Sequence, residues 1–321
     1  MPETILSVRS VTKSFGNLLA LDTVSIDVEE RKVSILVGPN GSGKTTLINV
    51  ISGLYKPDSG KVIFQGKDVS GLPPYKLYGM GIARTFQIPA LFWRLTVLEN
   101  LLVAEKGNPG ESFWKAFDIV GLKSWQNFFR PWRDTSSGWI LIRGLGSVKA
   151  KFRDNKPAKK LLDPRRISSF AISFLGASMQ PWIDFFTPAW QDREKQATRK
   201  AAMILRLLGL SRLWNQPAYS LSGGQMKLVE IGRALMTDAK LLLLDEPVSG
   251  VNPTLAHEIF ARILKLRDEL GLTFFIVEHR LDIALKYVDH MFAMSLGRVI
   301  ASGSPDVVLN DQRVIESYLG G

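Results

Sequence analysis

Leu36-Val37-Gly38-Pro39-Asn40-Gly41-Ser42-Gly43-Lys44-Thr45-Thr46 joins an apolar run, residues 33–37, to a helical pattern that starts near Lys44. The run is short and continuous, as a buried strand requires. The spacing G-x-x-x-x-G-K-T between a strand and a helix is that of a phosphate-binding P-loop. Its glycines let the backbone bend tightly and bring N–H groups against an anion. The new helix aims its N-terminus at the same place. Gly38, Pro39, Asn40, Gly41, Ser42, Gly43, Lys44, Thr45 and Thr46 are therefore the candidate nucleotide-binding residues. Lys44 is suited to reach the β- and γ-phosphates, and the Thr45 hydroxyl to hold Mg²⁺.

The bulk composition bounds the rest. A chain of 321 residues can bury a large core in one or two domains. There is no cysteine, which excludes disulfides and thiol chemistry and fits a reducing compartment. The first residues, Met1-Pro2-Glu3-Thr4, lack the basic start and long apolar stretch of a signal peptide, so the expected location is the cytoplasm. The net charge of +11 is local: nine basic and two acidic residues between 143 and 166 supply +7 of it. The remainder is only mildly basic and argues against a general nucleic-acid surface.

Taken in order, residues 5–11 and 24–28 read as strands, with a turn at 15–17. After the P-loop, the helix is expected to run to about Leu54 and stop at the Pro, Asp and Gly of residues 55–60. Residues 61–64 and 81–87 read as strands, and 96–104 as a helix. Between 105 and 191 the texture changes, with six of the eight tryptophans (Trp114, Trp125, Trp132, Trp139, Trp182 and Trp190) in that interval. Residues 191–208 read as a helix again, and Ser222 is placed to cap another that runs to Thr237. The leucine run 241–244 reads as a buried strand ending in Asp245-Glu246. A helix from about 254 to 270 leads to a strand at 272–277 that ends at Glu278-His279. The tail reads as a hairpin, 291–301, then short helices near Pro305 and Val314. Strand–helix alternation implies an α/β fold with a parallel sheet covered by helices.

Four later motifs accompany the P-loop: Phe86-Gln87, Leu221-Ser222-Gly223-Gly224-Gln225, the strand 241–246, and His279. In this order they resemble the Q-loop, signature, Walker B strand and switch histidine of the ATP-binding cassette (ABC) family of ATPases. The resemblance covers the chain apart from roughly residues 106–190. It implies a P-loop NTPase of the ABC type, with an antiparallel β subdomain and an enlarged α-helical subdomain. The expected division is 1–105 and 191–321 for the ATP-binding core, and 106–190 for the insertion. It further implies ATP and Mg²⁺ as ligands. Asp245 would support the metal together with Thr45 and Gln87, and Glu246 would act as general base on the attacking water. His279 and Gln87 would complete the catalytic set, and Phe15 would stack on adenine where tyrosine is more usual. Ser222, Gly223, Gly224 and Gln225 would close the site on a second ATPase subunit, identical or paralogous, in a head-to-tail dimer. If the strand continued through both acids, Asp245 and Glu246 would face opposite sides of the sheet. Asn252 stands where many family members have aspartate, which keeps hydrogen bonding but removes a charge.

The stretches 79–87, 95–104, 250–253 and 315–321 look like the ATPase subunit of branched-chain amino-acid importers, the LivG-like branch. This implies an energy-coupling ATPase peripheral to the cytoplasmic face of the membrane. Its partners would be integral membrane permease subunits and an extracytoplasmic solute-binding protein. Urea or amide importers and a lipopolysaccharide-export ATPase are similar by the same measure, so they stand as alternatives. A soluble ABC ATPase acting on nucleic acid or ribosomes is disfavoured by the single cassette and the absence of sustained heptads. The insertion leaves three readings open: an extended helical subdomain with buried aromatics, a membrane-interface or permease-docking segment, or a regulatory or nucleic-acid surface. The apolar stretch 167–183 is at the short limit for a spanning helix and contains Pro181.

Overall fold

The computed structural model describes residues 3–85, 90–105 and 194–319. Gln87 of the Q-loop and the insertion 106–190 with its tryptophans lie outside the described residues. The unit described here comprises Met1–Lys106 and Ala197–Gly321.

Two sheets form it. One is antiparallel, in the order β2-β1-β4-β5, from Leu18–Glu29, Thr4–Phe15, Ser59–Phe64 and Lys67–Asp68. The other has the order β10-β9-β3-β8-β7-β6. Its strands are β3 Val33–Val37, β6 Ile82–Arg84, β7 Leu241–Asp245, β8 Thr273–Val277, β9 His290–Ser295 and β10 Arg298–Gly303. β6, β7, β8, β3 and β9 are mutually parallel, and only the hairpin partner β10 runs antiparallel. The parallel sheet expected from strand–helix alternation is thus present, closed at one edge by a hairpin.

The leucine run and its neighbours are apolar throughout because both faces of this sheet are covered. Val33, Ile35, Leu242, Leu244, Phe274 and Ile276 join one core cluster. Leu36, Leu241, Leu243, Phe275 and Val277 join the other. Successive residues therefore enter opposite cores, as the two-residue period demands. The helices are α1 Lys44–Ile51, α2 Pro74–Met80, α3 Val97–Leu102, α4 at residues 194–207, α5 Gly223–Leu235, α6 Pro253–Leu270, α7 Leu281–Ala284, α8 Pro305–Leu309 and α9 Gln312–Leu319. The first cluster takes in Leu228 and Ile231 of α5 and Ile259, Phe260 and Ile263 of α6. The second takes in Leu47, Ile48 and Ile51 of α1 with Val8, Val11 and Val62 of the antiparallel sheet. Among the described residues no helix is long and apolar enough to cross a membrane.

Several boundaries differ from the sequence reading. β1 and β2 run on to a tight turn at Gly16-Asn17, well past residues 5–11 and 24–28. The extra length is half exposed and carries polar residues, so no apolar run marks it. α1 ends at Ile51 and not Leu54, with Gly53 in a left-handed turn. β5 and α2 have no counterpart in the sequence reading, because two residues, or seven with one buried side chain, give no usable period.

Candidate functional site

The P-loop hangs between β3 and α1. Gly38 has φ 152°, and a Cβ there would lie 2.2 Å from the Met294 carbonyl oxygen of β9. Gly43, the N-cap of α1, has φ 98°, and a Cβ would lie 2.5 Å from the Ala20 carbonyl oxygen. Side chains are thus excluded on both sides of the loop. The β9–β10 turn backs it further, since the Gly297 N–H donates to the Ser42 carbonyl at 3.1 Å. No side chain caps α1 and no acid occupies its first turn. That end is chemically suited to an anion.

Lys44 is buried, at 6% exposure. Its ammonium donates to the carbonyls of Gly38 and Pro39, both at 2.9 Å, and to Ser42 Oγ at 3.4 Å. Burial holds it below the ordinary lysine pKa, while the charges of Glu246 and Asp245 oppose that shift. Lys44 and the two acids therefore share one electrostatic environment. Thr45 and Asn40 are exposed, and Pro39 and Thr46 half-buried.

β7 ends at Asp245, and Glu246 turns to φ 49°, the left-handed region. The strand has stopped before Glu246, so the opposite-face argument does not separate the two acids. A bulky residue held at positive φ stores local strain, a common feature of functional sites. Asp245 accepts from Arg84 at 3.1 Å, with both side chains largely buried. Arg84 also donates to Asn49 Oδ1 at 2.5 Å and Ser52 Oγ at 3.0 Å, which fastens the end of β7 to α1. Burial lowers the Arg84 pKa and Asp245 counteracts it. Glu246 Oε1 lies 3.4 Å from His279 Nε2, and the Glu246 N–H donates to the Val277 carbonyl at 2.9 Å.

The structure brings Lys44, Asp245, Glu246 and His279 to one region. The signature residues stand apart from that group's hydrogen bonds. Ser222 caps α5 through a capping box: the Gln225 N–H donates to Ser222 Oγ at 3.4 Å, and Gln225 Oε1 accepts from the Ser222 N–H at 2.9 Å. Gln225 is therefore engaged within its own helix turn. Ser222 and Gly223 are exposed and Gly224 is buried. Phe15, at the end of β1, is 43% exposed. It meets Tyr55 edge-on with centroids 5.2 Å apart, and the Lys13 ammonium sits 5.5 Å from its ring. The Lys13 ammonium is itself paired with the Asp58 carboxylate at 2.7 Å.

Asn252 is the N-cap of α6, its Oδ1 accepting from the Leu255 N–H at 2.9 Å. Asparagine and aspartate cap helices about equally well, so the missing charge leaves this local role intact. Asn252→Ala is expected to lower stability by about 1 kcal/mol and Asn252→Asp to leave it nearly unchanged. Comparison of their thermal or denaturant midpoints with the parent decides this.

Sequence reasoning missed four residues here. Arg84, Lys227 and Glu278 act through contacts between distant segments. Tyr318 of α9, 44% exposed, is held above the ordinary tyrosine pKa by partial burial, with the Gly38 backbone opposing that shift.

A family model described as "ABC transporter" matches residues 21–249, and one described as "Branched-chain amino acid ATP-binding cassette transporter" matches residues 298–321. A probable branched-chain amino acid transport ATP-binding protein LivG of Archaeoglobus fulgidus is 39% identical over 316 residues, 98% of this chain and 95% of its own length. The protein of the same name from Methanocaldococcus jannaschii is 40% identical over 320 residues, 98% of this chain and 97% of its own. The solved ADP conformation of an ATP-binding cassette of an ABC transporter is 38% identical with a TM-score of 0.67, covering 99% of this chain and 100% of that one. The chain belongs to the ABC transporter family and is an ATP-binding ATPase subunit of the LivG type.

Proposed function

We propose that the chain hydrolyses ATP to drive import of branched-chain amino acids, working at the cytoplasmic face of the membrane against integral membrane permease subunits. A second ATPase subunit, identical or paralogous, pairs with it head to tail, and an extracytoplasmic solute-binding protein delivers the substrate. The observation that carries the substrate class is similarity along nearly the whole chain to two LivG proteins, joined by the match at residues 298–321.

The geometry supports the following division of work. The glycine-lined loop and the start of α1 cradle the phosphates, and Lys44 offers its ammonium to them. Phe15 stacks on the adenine. Mg²⁺ is commonly held by one or two carboxylates plus substrate phosphates, and here the Asp245 carboxylate would hold it with the Thr45 hydroxyl and Gln87. When bound, the metal would neutralise phosphate charge. Arg84 keeps Asp245 fixed through its contacts to Asn49 and Ser52. Glu246 takes the proton of the attacking water, and His279 beside it orients that carboxylate and the γ-phosphate region. The exposed Ser222 and Gly223, with Gly224 behind them, bring the start of α5 and its positive dipole end to the nucleotide of the second subunit. Gln225 contributes by holding that helix start in place.

Affinity isolation from gently solubilised native membranes tests this reading. The expected result is recovery of integral membrane permeases, a second ATPase and a solute-binding protein for aliphatic amino acids. Isolation of the chain free of any integral membrane protein would contradict it.

A further inference from the structure

Glu278 precedes the switch histidine and is 2% exposed. Its carboxylate is surrounded by backbone donors from two loops. Oε1 accepts from the Val248 N–H at 2.9 Å. Oε2 accepts from the N–H groups of His279 and Arg280 at 2.9 and 3.1 Å. The Arg280 guanidinium returns to the first loop, donating to the Val251 carbonyl at 3.0 Å. One buried side chain thus fastens the loop after β7, which carries Glu246, to the loop after β8, which carries His279.

A buried carboxylate needs compensation beyond its hydrogen bonds. Lys227, on the signature helix α5, supplies a nearby positive charge. Burial lowers its pKa, and of the three carboxylates that oppose this, Glu278 acts most strongly, ahead of Glu246 and Glu230. The Lys227 ammonium also donates to the Glu246 carbonyl oxygen at 2.8 Å. That bond holds the backbone at the residue kept at φ 49°.

We propose that Glu278 and Lys227 are a pair of positioning residues for hydrolysis. Glu278 fixes the relation of Glu246 to His279, and Lys227 ties that pair to the helix whose start carries Ser222 and Gly223. A displacement of α5 by a second subunit's nucleotide is thereby felt at Glu246 of the same chain. The arrangement requires a group that only accepts hydrogen bonds, since donors meet both oxygens. Glutamine would turn an NH₂ toward Val248 or toward His279 and Arg280.

The inference rests on Glu246 being the general base, so Glu246→Gln is assayed in parallel in the assembled transporter complex. Glu278→Gln and Lys227→Met are each expected to lower kcat about tenfold or more, with the dissociation constant for ATP unchanged. The double variant is expected to lose much less than the product of the two losses, because the residues act through one arrangement. A merely structural role would lower the thermal midpoint and ATP affinity together with kcat, and would overturn the proposal. So would independent, multiplicative losses, or unchanged kcat in both single variants while Glu246→Gln is inactive. Full turnover by Glu246→Gln would instead remove the underlying reading. If Glu278→Gln does not fold, Lys227→Met decides alone: reduced kcat at unchanged ATP affinity sustains the proposal, and any other result ends it.

Discussion

Glu246→Gln is expected to lower ATP turnover by about two to four orders of magnitude while leaving ATP binding in place. The amide has the volume of the carboxylate but cannot take a proton from water. Nothing in the P-loop changes: Lys44 keeps its bonds to Gly38, Pro39 and Ser42, and Arg84 keeps Asp245. The backbone hydrogen bonds that hold residue 246, from its N–H to Val277 and from Lys227 to its carbonyl, do not involve the altered group. The variant should therefore bind nucleotide and stall with the ATPase pair closed, visible as an ATP-dependent dimer by size-exclusion chromatography. Steady-state hydrolysis close to the parent rate would sink the assignment of the base.

Lys44→Ala is expected to weaken ATP binding by about ten- to a hundredfold, the worth of a charge-assisted hydrogen bond or two in a partly desolvated site. The lysine is buried beside two acids, so its removal also leaves Asp245 and Glu246 with less compensating charge. Both effects act against a polyanion entering the loop. The fold should tolerate the change, because alanine is a good helix former at the first position of α1 and the glycines of the loop are untouched. Equilibrium titration with a fluorescent ATP analogue measures the loss, and an unaltered dissociation constant would contradict the phosphate-binding role of Lys44.

The parts legible in the sequence are those written locally. Residues 33–37 and 241–244 are largely apolar runs bounded by glycine or acid, and both lie in buried strands of the central sheet. Ser222 reads as a cap because a serine before a helical pattern has one obvious use, and it forms a capping box. What failed was written across the chain. Arg84 and Asp245 meet from 161 positions apart, and Glu278 and Val248 from 30, so neither pairing leaves a spacing to read. Glu246 leaves the strand geometry that its apolar predecessors suggest, because the chain turns left-handed at that residue. The polar ends of β1 and β2 were missed for a related reason: a half-exposed hairpin needs no apolar run to form.

The most direct test of the central claim is uptake of radiolabelled leucine into proteoliposomes carrying the isolated transporter complex, with the solute-binding protein outside and ATP inside. Leucine accumulation is expected only with internal ATP, and is expected to vanish when this chain carries Glu246→Gln. Accumulation that persists without ATP, or that is indifferent to Glu246→Gln, would show that hydrolysis by this chain does not drive import.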